Sequence, residues 1–215
     1  MDGRRSAKGR VMDFFEVANT QRAMRRLLSD PISDADLWTI LDAATKAPNG
    51  GNRQPWNFVV VRDAAAKTKI AAWYLEAWNQ QYGGRIREAM LADPSMSKTW
   101  KSSDYLANHM ADVPVLVIAT IRKDMVVIGP TLGASIYPAV QNLMLAARAL
   151  GLGSVLTTLH GVHEDDVKAL LGIPDDVQTM ALIPIGRPMG QFGPVRRLPA
   201  EKVVYWDSWG TRRAR

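Results

Sequence analysis

The sequence predicts an α/β or α+β sandwich built as one domain, and three observations lead there. Segments of helical period alternate with short, continuously apolar runs. The 215 residues are 47% hydrophobic and 22% charged, an ordinary globular composition with enough apolar mass for one core. The stretch from Phe192 to Trp209 has no helical period and reads as an extended C-terminal arm. No internal repeat or low-complexity segment interrupts this order.

Taken in order, Val11 to Ala18 reads as a short amphipathic helix. Ser33-Asp34-Ala35-Asp36 opens a second, with Ser33 as N-cap and acids in the first turn facing the helix dipole. That helix runs through Leu37 to Lys46 and ends at Ala47-Pro48, because proline cannot continue the backbone ladder. Phe58 to Val61 is a strand. Lys67 to Gln81 is helical, with Tyr74, Trp78 and Tyr82 four residues apart on one face, and a polar, Gly- and Ser-containing stretch is expected from there to about Asn108. Pro114 to Thr120 reads as a buried strand from its unbroken apolar content. Gly133 to Leu150 is a helix that is apolar almost all round and rich in alanine, so it belongs at the centre of the monomer or in an oligomer interface. Gly151 and Gly153 close it before the strand Ser154 to Thr158. Val162 to Asp166 starts a further helix that stops at Gly172-Ile173-Pro174, and Met180 to Ile185 is the last strand.

Cysteine is absent, which excludes disulfides, thiolate metal sites and cysteine nucleophiles; redox chemistry would need a bound cofactor. The formal charge of +6 is concentrated at the ends. Residues 1–10 carry Arg4, Arg5, Lys8 and Arg10 against Asp2, a net +3, and Arg212, Arg213 and Arg215 contribute another +3. With no aromatic residues interleaved, these read as a disordered tail at 1–10 and a basic tail at 210–215 flanking a single domain at 11–209, and no nucleic-acid partner is expected. Arg4-Arg5 precedes no apolar core, and Val113 to Ile121 covers about half a membrane span. A cytoplasmic protein with no membrane partner is the expectation. His160 and His163 stand beside Glu164, Asp165 and Asp166, but acids in a first helical turn answer the dipole and no third ligand follows at a sensible spacing, so no metal is expected. No G-x-S-x-G elbow or Walker loop supports a hydrolase or a P-loop NTPase.

The most informative stretch is Pro48-Asn49-Gly50-Gly51-Asn52-Arg53-Gln54-Pro55-Trp56. Glycines free the backbone where it turns, while Asn49, Asn52 and Gln54 place amide donors and acceptors beside a strand, the equipment for reading a heterocycle edge. The longer run Ala43-Ala44-Thr45-Lys46-Ala47-Pro48 through Asn57-Phe58-Val59-Val60-Val61 resembles the AA-x-x-APS-x-x-N-x-QPW-x-F-x-V signature of the nitroreductase family of FMN enzymes. Gln21-Arg22-Ala23-Met24-Arg25-Arg26-Leu27 sits where that family has RRS-x-R-x-F, and Arg196-Arg197-Leu198-Pro199 resembles its C-terminal R-x-P element. Gly151-Leu152-Gly153-Ser154 superficially resembles a dinucleotide fingerprint, but it lacks the third glycine and follows a helix, so a Rossmann reading has little weight.

The resemblance covers roughly Val11 to Trp206. It implies a central mixed sheet flanked by helices, an intertwined homodimer, and FMN at the subunit interface. It implies that Arg22, Arg25 and Arg197, with Gln21, Ala23 and Arg196 beside them, contact the phosphate and ribityl chain. Pro48, Asn49, Gly50, Asn52 and Gln54 would face the flavin ring, and Leu156, Thr157, Thr158 and Leu159 its N5 edge. Gln21 in place of arginine and Ala23 in place of serine remove one charge and one hydroxyl from the family pattern; Arg26 and Arg196 are candidates to compensate. The segment from about 74 to 110 corresponds to a variable lid over the flavin, in which Tyr74, Trp78, Tyr82, Trp100 and Tyr105 could stack a small flat aromatic acceptor. By this resemblance the protein is an oxidoreductase that moves electrons from NADH or NADPH through flavin N5 to nitroaromatic or quinone-like acceptors by alternation, with no side-chain nucleophile. A flavin-cleaving benzimidazole synthase, a reductive dehalogenase of the same fold, or a flavin-free binding protein are the alternatives.

Overall fold

In the computed structural model, residues 12–126, 129 and 131–214 are described. The expected tail at 1–10, Val11 and Arg215 lie outside them. Seven helices and four strands follow in the order α1 (Phe14–Thr20), α2 (Asp34–Ala44), β1 (Trp56–Val61), α3 (Ala64–Tyr82), α4 (Gly84–Ala92), α5 (Ser97–His109), β2 (Val115–Arg122), α6 (Gly133–Ala149), β3 (Gly153–Ser154), α7 (Glu164–Leu171) and β4 (Val177–Gly186), among the described residues. Short polar side chains start the first three helices. Asp13 accepts from Glu16 N at 3.0 Å, Ser33 from Asp36 N at 3.0 Å and Asp63 from Ala66 N at 2.8 Å, each satisfying an amide that the helix leaves unpaired. Gly172, at φ 65°, ends α7 in the left-handed conformation that glycine adopts freely.

The strands form one sheet in the order β1-β2-β4-β3, and every pair of them is antiparallel. This corrects the expected mixed sheet: among the described residues the parallel pairing is an isolated bridge between Ala23 and Ser154. Alternation of helices and strands suggests parallel units, but the β1 to β2 connection carries three helices, long enough to return the chain in either direction. The unbroken apolar run of β2 has a two-sided explanation. Val115, Val117, Ala119 and Ile121 pack with α2 and α6 on one face, while Leu116 and Ile118 pack with α3, α5 and α7 on the other. Helix α6 is central to the monomer, burying Ile136, Ala139, Val140, Leu143 and Ala147.

Two other expectations change. The polar stretch expected before Asn108 is largely helical: α4 and α5 occupy it, bounded by Gly83-Gly84 and Asp93-Pro94. Helix α5 hides its apolar face among serines and lysines, since only Trp100, Leu106 and Ala107 are buried. The expected strand Ser154 to Thr158 shrinks to β3 plus an isolated bridge of Thr157 with Leu182, and the chain then enters a tight turn at Leu159–His163. The C-terminal arm has no strand and includes one short turn at Ala200–Lys202. No helix among the described residues is long and apolar enough to cross a membrane.

Candidate functional site

The loop between α2 and β1 holds an unusual backbone. Gly51, Asn52 and Gln54 take φ of 62°, 52° and 51°. Two non-glycine residues in the left-handed region represent strain of roughly 1–3 kcal/mol each, which persists where the surroundings hold it. Here the support is visible. Asn49 Oδ1 accepts the Gln54 amide at 2.8 Å, Gly50 N donates to Ser135 Oγ at 3.4 Å, and Pro55 and Trp56 are buried beneath. One oxygen of Asn49 is therefore spent on the loop itself. Gly50 to Gln54 are all exposed, and the loop borders a cleft of ≈ 590 Å³ shared with Met125, Val126, Thr131, Leu132, Ala134 and Ser135.

The basic segment after α1 is fixed by two strand-like seams. Met24 N donates to Ser154 O at 3.0 Å on one side, and Leu28 N to Arg187 O at 2.8 Å and Met189 N to Arg26 O at 3.0 Å on the other. Gly153 permits this approach: a Cβ there would lie 2.8 Å from Met24 Cβ and 2.9 Å from Leu27 Cδ2. The glycine element and the arginine element of the sequence are thus one packing unit. Further along, Val195 N donates to Asn19 O at 2.9 Å, and the Arg148 guanidinium lies 4.0 Å over the Phe192 ring while its Nε donates to Thr20 Oγ1 at 2.9 Å. These contacts tie the chain just before Arg196 and Arg197 to the end of α1, just before Gln21 and Arg22. Arg196 and Arg197 are exposed, as are Arg22 and Ala23, and Gln21 is half-buried.

Arg25 points the other way, into a cavity of ≈ 170 Å³ whose walls are Tyr74, Trp78, Tyr82, Ser103, Leu106 and Val155 to Leu159. Burial lowers the Arg25 guanidinium from its ordinary value; Tyr74 opposes that shift and the like charge of Arg22 adds to it. No carboxylate pairs with Arg25 among the described residues. Burial pushes the Tyr74 hydroxyl up, with Thr157 beside it and Arg25 pulling it back, so the hydroxyl keeps its proton. Thr157 is anchored through its Oγ1 to Leu182 O at 3.1 Å, and Thr158 is exposed at the rim. An uncompensated guanidinium, several hydroxyls and aromatic walls fit an anionic or carbonyl-bearing ring system such as FMN. The space does not fit it: ligand pockets run from about 300 Å³ upward. The structure gathers Arg25, Tyr74, Trp78, Tyr82 and Leu156 to Leu159, leaves Pro48, Asn49 and Gly50 on a different cleft of the same chain, and puts Asn52 and Gln54, both exposed, in the lining of neither.

The remaining sequence candidates stand apart from that cavity. Trp100 is 4% exposed and packs against Trp78 and Tyr82 at 4.9 and 5.6 Å between ring centroids. Tyr105 lies between the Arg26 guanidinium, 4.7 Å from its ring centroid, and His109, stacked at 4.1 Å, so Arg26 is engaged away from the cavity. Ser103 and Leu106 line the cavity without having been singled out in the sequence, because the helix that presents them was read as a polar stretch. Ser135 and Arg148, each holding a motif segment in place, carry no local sequence signal at all. No metal-binding group of three or more His, Cys, Asp or Glu exists among the described residues. His163 sits between Asp166 at 3.2 Å and Glu76 at 3.5 Å, while His160 is buried with neither ring nitrogen hydrogen-bonded.

An antiparallel sheet sandwiched between helices, a strained amide loop and a small basic cavity together define the architecture of an α+β protein. The chain belongs to the Nitroreductase family, whose pattern matches residues 18–187. It is 30% identical over 210 residues to a NADH dehydrogenase from Thermus thermophilus, covering 91% of this chain and 97% of that protein. It is 26% identical to an iodotyrosine deiodinase from Thermotoga neapolitana, with 88% and 95% covered. Among solved structures, an oxidised iodotyrosine deiodinase bound to FMN and 3-iodo-L-tyrosine superposes with a TM-score of 0.70 at 25% identity, covering 90% of this chain and 98% of that one.

Proposed function

We propose that the protein is an FMN-dependent oxidoreductase that takes electrons from NADH or NADPH and delivers them to a small nitroaromatic or quinone-like acceptor by a ping-pong mechanism in the cytoplasm. The observation that carries this reading is Arg25, a partly buried cation with no carboxylate partner among the described residues, set among hydroxyls and aromatic rings in a member of the Nitroreductase family. Bound FMN supplies the exchange of a hydride equivalent between nicotinamide and acceptor. The chain's own residues bind, orient and exclude water. Arg25 and the Tyr74 hydroxyl offer positive charge and hydrogen bonds to an electron-rich ring edge, and Trp78, Tyr82, Leu106 and Leu156 keep the site dry, which strengthens those interactions. Arg22, Arg196 and Arg197 remain for the phosphate.

A homodimer is part of this reading. The cavity around Arg25 is too small alone, and the loop at 48–54 is exposed on another surface. Placing that loop from one copy against the Arg25 cavity of another would unite both halves. Exposed apolar surface supports such pairing: Phe14 and Phe15 on α1, Trp38 beside a groove with Phe58 and Val60, and Trp209 at 89% exposure on the arm. The likeness to iodotyrosine deiodinases favours reductive dehalogenation of a halophenol as the second reading. An anaerobic assay of NADH and NADPH oxidation with nitroarenes, quinones and halophenols separates the two. The first reading expects turnover with nitroarenes or quinones; no oxidation above that of free FMN in any of these would refute both.

A further inference from the structure

Trp78 in the cavity wall is held by a residue outside the cavity. Asp104 on α5 accepts the Trp78 Nε1 proton at 3.2 Å through one oxygen and the Arg87 guanidinium at 2.9 Å through the other. The carboxylate is mostly shielded, with 21% of the side chain exposed, whereas Arg87 is 45% exposed. The hydrogen bond to Trp78 is therefore the protected half of the relay and the ion pair the screened half. Trp78 in turn packs on Tyr82 at 4.7 Å and Trp100 at 4.9 Å, and both Trp78 and Tyr82 face Arg25 across the cavity. Arg87 belongs to α4, which buries none of its residues and joins its neighbours through Gly83-Gly84, with Gly84 at φ 57°, and through Asp93-Pro94. Met90, half-buried against the core, is the apolar hold of a helix with no fully buried residue, so a charged contact matters more to its position than on a helix with a buried face.

We propose that Asp104 is a positioning residue for the ligand cavity: it fixes the Trp78 indole in the cavity wall and, through Arg87, couples the seat of α4 to the shape of that wall. The assignment rests on the flavin reading of the cavity for its ligand, while the Asp104 to Trp78 link itself does not depend on flavin. Asp104→Leu removes both arms of the relay, Asp104→Asn keeps an oxygen acceptor for Trp78 and weakens the ion pair, and Arg87→Gln removes the ion pair alone.

Near-UV circular dichroism of the flavin-free protein reports the coupled Trp78, Tyr82 and Trp100 rings, and titration with FMN reports the cavity. The expected result is that Asp104→Leu loses most of the tryptophan band and binds FMN about tenfold more weakly, the scale of one charged hydrogen bond. Asp104→Asn restores the band and most of the affinity, and Arg87→Gln leaves the band intact while accelerating protease cleavage within α4. A merely structural role would lower melting temperature in both Asp104 variants without this rescue. An unchanged tryptophan band in Asp104→Leu overturns the inference. Failure of the wild type to take up FMN overturns the flavin reading instead, and the circular dichroism series still decides the link.

Discussion

At the residue scale, two buried groups make opposite demands on the solvent. Arg25 is a partly buried cation that burial disfavours and no acid compensates among the described residues, so a negative or carbonyl-bearing ligand would relieve it. Arg25→Ala should weaken FMN binding by roughly tenfold or more, the loss expected for hydrogen bonds from a charged donor. Arg22→Ala and Arg197→Ala should lower bound FMN as well, through the phosphate; full flavin occupancy in all three variants would remove the arginine assignment. His160 lacks any hydrogen-bond partner, is 2% exposed, and is lowered from 6.5 to about 4 by burial, with Glu164 pulling slightly the other way. It is neutral in the fold, and the unfolded chain takes up its proton first as the pH falls. Stability should therefore decline between pH 6.5 and about pH 4, by roughly 3 kcal/mol once both forms are protonated. Denaturant midpoints across that range test this, and His160→Leu should flatten the profile; an unaltered slope in the variant would assign the acid sensitivity elsewhere.

At the element scale, the site depends on how closely the segment at 22–28 lies on β3. Gly153→Ala would bring a methyl group within 3 Å of Met24 and Leu27, so the segment must shift outward, at about 1–3 kcal/mol for overpacking. The variant should melt at lower temperature and also hold FMN more weakly, because Arg22 and Arg25 ride on the displaced segment. A variant that loses stability but binds FMN like wild type would separate the two effects and contradict the coupling. Elements whose signal is local were legible in the sequence: Ser33 opening α2, Gly172 closing α7, and β2 from its apolar run. Elements α4 and α5 were not, since their apolar positions are few and interrupted by glycine, proline and serine. The loop at 48–54 stood out by composition alone, yet its left-handed Asn52 and Gln54 depend on support from Asn49 and Ser135, which no short-range pattern encodes. Strand direction was also illegible, because the connections are long enough to allow either sense.

At the scale of the whole molecule, the family motifs fall on two surfaces that one chain does not bring together. The motif at 48–54 and the residues around Arg25 were both singled out in the sequence, but sequence order does not say that the two lie on different surfaces of the chain. The account expects a particle of twice the 23.8 kDa chain mass in sedimentation, with apolar α1, Trp38 and the C-terminal arm covered. A flavin-bound monomer would contradict that arrangement. FMN held between the Arg25 cavity of one copy and the 48–54 loop of another would show in the visible absorption spectrum of the purified protein, with the released cofactor identified by mass. The account predicts stoichiometric FMN despite Gln21 and Ala23 standing where the family has arginine and serine. A colourless protein that also fails to take up added FMN would contradict it.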